Sequence, residues 1–156
     1  MNQPMATVAN EVKIGDELFL RSRERSYVIT ATQISKTNWP RLGNEGKVRL
    51  TLLGNGPLRN GSVVQIQSLE SNLNGNDVLE ADNHNCYYGK RNSDEKKQRW
   101  IITKLDASNP VLFYGDKIYL VNAYYDNERL TKNSQNGDYL TIDKEADWWW
   151  KLEERF

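Results

Sequence analysis

Short bursts of alternating apolar and polar residues run along this chain, punctuated by Gly, Asn and Asp. In Glu17 to Arg21, Leu18 and Leu20 alternate with Glu17, Phe19 and Arg21, the period-two signature of a strand with one buried face. Phe19 should then lean outward or towards a neighbour. Tyr27 to Thr32 is rich in β-branched residues, which suits a pleated surface, and Lys47 to Leu52 alternates cleanly. Between them Trp39-Pro40-Arg41-Leu42 is the weakest strand candidate, because Pro40 cannot donate to a ladder and belongs at an edge or a strand start. Four strands are expected by Leu52. Four more patches follow at Gly61 to Ser68, Asp77 to Ala81, Cys86 to Tyr88 and Arg99 to Thr103, and the charged Ser93 to Gln98, which lacks apolar periodicity, reads as loop. The last four are Ile118/Leu120, Glu128 to Thr131, Tyr139 to Ile142, and Trp148 to Trp150 with Leu152.

These stretches overlay. The opening strand occurs as GDELFLRS, GSVVQIQS and GDKIYLVN; the second as YVITAT, DVLEAD and ERLTKN; the closing strand as KVRLTL, RWIIT and WWKLE. In that overlay Val48, Trp100 and Trp150 share one position and Leu50, Ile102 and Leu152 the next inward one. Three such copies signal a repeat architecture, and units of this size must share a core because none can bury an apolar face alone. The expected organisation is a lead-in over 1–11 and one all-β domain over 12–156, with repeats of about 12–56, 57–106 and 107–156. Twelve short strands with threefold pseudo-symmetry resemble the β-trefoil, a six-stranded barrel capped by three hairpins. That resemblance implies that Leu18, Leu20, Val64, Ile66, Ile118 and Leu120, with the closing-strand residues, fill the barrel.

Composition narrows the function classes. The 21 acidic and 21 basic residues among 156 cancel, so no long-range field of one sign favours nucleic acid or anionic lipid. The single Cys86 excludes an internal disulfide and the first residues lack the apolar segment of a secretory signal, which points to a reducing, cytoplasmic setting. No stretch approaches the roughly 20 apolar residues of a membrane span. A soluble, monomeric or weakly associating protein is expected.

Catalytic chemistry is poorly supplied. His84 and Cys86 could pair only if the imidazole came within about 3 Å of sulfur, and they fall short of the four ligands of a structural zinc site. A surface histidine and a small buried thiol are the expectation, with no metal, no cofactor and no enzyme activity. In a strand, Trp148 and Trp150 share one face and Trp149 the other. The run therefore either covers the barrel or offers an exposed aromatic platform, and Tyr124-Tyr125 and Tyr87-Tyr88 admit the same two readings.

Gln98-Arg99-Trp100, in a closing strand, matches the Gln-x-Trp signature and is similar to ricin-B-like lectin repeats. The resemblance implies a core Trp and a Gln supporting a sugar site, with an acidic residue on the second strand and an aromatic one on the third. Here those roles fall on Glu80 or Asp82, on Tyr88 or Tyr87, and on Gln98. The counterparts in the other units, Gly46-Lys47-Val48 and Trp148-Trp149-Trp150, lack the motif. A second resemblance, of Tyr139 to Asp143 and the Gly-Asp strand openings to fascin-type trefoils, implies a scaffold for protein contacts, and protease inhibitors also use this fold. The expected function is non-enzymatic, lectin-like carbohydrate binding; the alternative is a protein-interaction module of the fascin or protease-inhibitor type.

Overall fold

The computed structural model describes residues 10–136 and 138–155, so most of the expected lead-in lies outside the described residues. The first unit contributes β1 (Glu17–Ser22), β2 (Tyr27–Ile34), β3 (Thr37–Gly43) and β4 (Leu50–Leu53); the second β5 (Val63–Ser68), β6 (Asn76–Asp82), β7 (Asn85–Lys90) and β8 (Trp100–Lys104); the third β9 (Ile118–Asn122), β10 (Arg129–Lys132), β11 (Leu140–Asp143) and β12 (Trp150–Glu154). Opening and closing strands pair antiparallel in the ring β1, β4, β5, β8, β9, β12 and back to β1. The ring is a closed six-stranded barrel, which abolishes free edges. The remaining strands form the hairpins β2–β3, β6–β7 and β10–β11, which meet one another where β3 pairs with β7 and β11 packs against both. The chain is a β-trefoil with pseudo-threefold symmetry.

The Gly-Asp and Gly-Ser dipeptides explain how each unit begins. Gly15, Gly61 and Gly115 have φ of 88°, 91° and 87°, the left-handed value that the third residue of a type II turn requires and that glycine adopts without steric cost. Their N–H groups donate to the carbonyls of Leu52, Ile102 and Leu152 within the closing strands. The next side chain braces the turn: Asp16 accepts from Lys13 N–H, Ser62 from Arg59 N–H and Asp116 from Phe113 N–H, at 2.8–3.0 Å.

Inside the barrel Leu18, Leu20, Leu50 and Leu52 of the first unit meet Ile66 and Ile102 of the second and Ile118, Leu120 and Leu152 of the third. Val64 is buried beside Trp100, with which it pairs. A second apolar layer joins barrel to hairpins through Val28, Leu42, Leu79, Tyr88, Leu130 and Ile142, with Trp100 and Trp150 fully buried among them.

Four details differ from the sequence reading. Pro40 lies inside β3, opposite a bulge in which Thr30 and Ala31 have no partner on β3; their N–H groups donate instead to the Gly46 carbonyl and to Glu70, so the ladder is interrupted where proline has no donor to give. Ser93 to Gln98 is not all loop, since Lys96–Gln98 forms a single 3-10 turn capped by the Glu95 carboxylate. The ladders also revise two overlays. Arg21–Tyr27, Gln67–Val78 and Val121–Arg129 are equivalent pairs, so Val28 matches Leu79 and Leu130, one residue away from the expected alignment. Leu18–Leu50, Val64–Trp100 and Ile118–Trp150 are likewise equivalent, so Leu50, not Val48, stands where the other units carry tryptophan. A two-residue slip keeps each side chain on its face, which is why the burial pattern alone does not expose it.

Candidate functional site

Gln98 ends the 3-10 turn with its side chain pointing inward, 1% exposed. Its Nε2 donates to Glu80 Oε1 at 2.8 Å and to the Lys90 carbonyl at 2.7 Å. Its Oε1 accepts from Gln65 Nε2 at 3.0 Å and from Asn92 N–H at 2.9 Å. Both donors and both acceptor positions of the amide are filled, as a buried amide needs. One side chain thus ties together β5, β6, the end of β7 and the loop after it.

The β6–β7 ladder sets Glu80 opposite Tyr87, whose hydroxyl donates to Glu80 Oε2. Partial burial, with the Glu80 carboxylate beside it, pushes the Tyr87 phenol pKa upward. Among the described residues each carboxylate oxygen has one partner and keeps further acceptor capacity. The arrangement requires Gly89, because a Cβ there would stand 2.5 Å from Glu80 Oε1 and 3.3 Å from Gln98 Nε2. Trp39 of β3 leans on the Tyr87 ring, centroids 6.2 Å apart and planes at 59°. Chemically this is a half-buried carboxylate held in one orientation beside two aromatic rings. Such a constellation can accept from ligand hydroxyls while a ring covers an apolar C–H face.

Of the five residues the sequence singled out, the fold brings Glu80, Tyr87 and Gln98 together. Tyr88 is not available: it pairs with Leu79, is 3% exposed and faces the core, because the strand alternation that turns Tyr87 outward turns its neighbour in. Asp82 is exposed at the hairpin end, 4.0 Å from Lys97 Nζ. Trp39, Gln65 and Gly89 were missed. Gly89 stood in the sequence as a glycine inside a strand, a sign of close approach, whereas the bulge opposite Pro40 hid the register of Trp39. The corresponding positions elsewhere are Ile29 and Thr131 for Glu80, from the Ile29–Arg41 and Thr131–Thr141 pairs, and Val48 and Trp148 for Gln98. At these equivalent positions the amide–carboxylate pair is therefore confined to the second unit.

The other candidates separate by burial. Trp150 is fully buried and donates to the Leu130 carbonyl at 3.0 Å, as Trp100 does to Leu79 at 3.1 Å. Trp148 packs edge-on against Trp150, while Trp149 is half-buried with Lys117 and Lys151 over its ring. Tyr124 is 54% exposed and lies under Lys97, and Tyr125 accepts from Asn83 N–H. Cys86 is buried, which pushes its thiol pKa up, and His84 sits exposed at the hairpin tip. No helix among the described residues is long and apolar enough to cross a membrane.

Neither a protein-family model nor a curated protein matches the chain. Solved structures do. A lysenin pore superposes with a TM-score of 0.78 at 20% identity over 97% of this chain, and a lysenin complex with phosphocholine with 0.74 at 22% over 94%. The chain spans about half the length of these two, 50% and 47%. A Kunitz-type cysteine protease inhibitor from potato superposes with 0.64 at 13% identity, covering 96% of this chain and 99% of its own. At such identities the likeness establishes the fold, and that fold is the β-trefoil.

Proposed function

We propose that this protein is a non-enzymatic binding module whose second unit takes a carbohydrate. The observation that carries the reading is the Gln98–Glu80–Tyr87 chain of hydrogen bonds. A buried amide fixes a carboxylate, and the carboxylate fixes a phenol, so the site is organised before a ligand arrives and loses little freedom on binding. Vicinal sugar hydroxyls suit the open acceptor positions of Glu80, and the Tyr87 and Trp39 rings suit the apolar face of a pyranose. The test is a broad glycan array, with phosphocholine added because a lysenin neighbour is complexed with it. Wild type should bind a restricted set of glycans and Glu80→Ala should lose them; a blank array, or hits indifferent to Glu80→Ala, would reject the reading.

A second reading is a protein-interaction module of the protease-inhibitor type. It is favoured by the exposed Tyr124, which with Lys97 and Asp82 makes an aromatic and charged projection between the second and third units. Inhibition of a cysteine protease, reduced by Tyr124→Ala, would support this reading over the first.

A further inference from the structure

The outer wall of the barrel carries an arrangement that β-sheets ordinarily avoid. Arg21 of β1 stands directly opposite Lys151 of β12, and the Trp150–Ile118 pairing on the other side of β12 sets Lys151 beside Lys117 on the next step of the ladder. Three cations thus lie in a row across β1, β12 and the residue that leads into β9, and like charges placed directly opposite destabilise a sheet. Arg21 is neutralised by Glu153 at 3.0 Å. Among the described residues, neither lysine forms an ion pair. The neighbouring carboxylates are already engaged: Asp116 with Lys104 at 3.0 Å, Asp147 with the Tyr119 hydroxyl and Arg23, and Glu153 with Arg21 and the Tyr27 hydroxyl.

Both free ammonium groups converge on one ring. Lys117 Nζ lies 4.7 Å and Lys151 Nζ 5.6 Å from the centre of the Trp149 indole. The ring quadrupole attracts each ammonium, and the ladder sets the two lysines side by side on one face of the sheet, where like charges repel. An anion seated between them would remove that repulsion and accept charge-assisted hydrogen bonds from both. We propose that Lys117, Lys151 and Trp149 form a binding site for a phosphate or sulfate group, on the barrel wall of β9 and β12 and separate from the site on the β6–β7 hairpin.

The probes are inorganic phosphate and inorganic sulfate, titrated at constant ionic strength held with sodium chloride and followed by tryptophan fluorescence. Wild type should give a saturable change in the millimolar range. Lys117→Gln and Lys151→Gln should each weaken it several-fold and the double variant should abolish it, with thermal unfolding checking that all three remain folded. Co-sedimentation with phosphatidylserine vesicles against phosphatidylcholine vesicles identifies the source: retention on the former assigns the site to a lipid headgroup, and phosphate binding without retention assigns it to a soluble ester. No saturable response, an unchanged midpoint in the double variant, or an equal response to chloride alone would overturn the proposal.

Discussion

Gln98 donates to the Glu80 carboxylate at 2.8 Å from a position that is 1% exposed. The same amide bonds the Lys90 carbonyl, the Asn92 N–H and Gln65, so Gln98→Ala deprives four groups of a hydrogen bond, of which Gln65 keeps another, to the Asn92 carbonyl. Each buried group left unpaired costs about 1–3 kcal/mol, and the total loss, measured by urea unfolding, should exceed about 2 kcal/mol. Because Glu80 also loses its anchor, ligand affinity should fall even under conditions where the variant is folded.

Gly89→Ala separates site geometry from stability. The backbone at Gly89 is not left-handed, and the atom an added methyl would meet first is the far end of Glu80. The carboxylate should swing away while the barrel stays intact. An unfolding midpoint close to wild type, with glycan binding lost, is the expected outcome.

Trp100 and Trp150 each bury an indole and donate to a carbonyl at equivalent places, Leu79 and Leu130. Replacing either by Phe removes the donor and strands the carbonyl, a loss of about 1–3 kcal/mol. In the first unit, Leu50 fills the equivalent place without a donor, so Leu50→Ala should cost apolar packing alone. Chemical denaturation of the three variants under identical conditions makes the comparison.

Leu20, Ile66 and Leu120 meet in the barrel centre, each 1–2% exposed. Truncating any one to Ala should cost on the order of 2–5 kcal/mol. Near-neutral effects at all three would be incompatible with the barrel.

Alkaline solutions should destabilise the fold. Burial raises the pKa of Tyr87, Tyr88 and Tyr114, and that of the Cys86 thiol. A raised folded-state pKa means stability that is complete below the unfolded value and lost above it, where only the unfolded chain gives up its proton. The decline should begin near the ordinary thiol value of 9.0 and steepen past the ordinary phenol value of 10.0. Tyr88→Phe should flatten the steeper part in urea titrations at successive pH values.

The sequence reading reached the barrel because its determinants are local: a glycine at each left-handed turn and period-two alternation in each opening strand. It misplaced the closing strand of the first unit because Leu50 there lacks the size that marks Trp100 and Trp150, and a two-residue slip conserves burial. The site was half legible. Glu80, Tyr87 and Gln98 lie on strands whose spacing is visible in the sequence, but Tyr87 and Tyr88 are adjacent and only the ladder decides which faces out. Trp39 arrives from another unit, across a bulge that alternation does not reveal.

The most direct test of the central claim is an amide and indole chemical-shift titration of isotope-labelled protein with the strongest glycan from the array. The largest shifts should fall on the Trp39 indole, Gly89 and the Gln98 side-chain amide, and Trp149 should stay unmoved. Shifts centred on Tyr124 or on Trp149, with Gly89 and Gln98 unchanged, would contradict the claim.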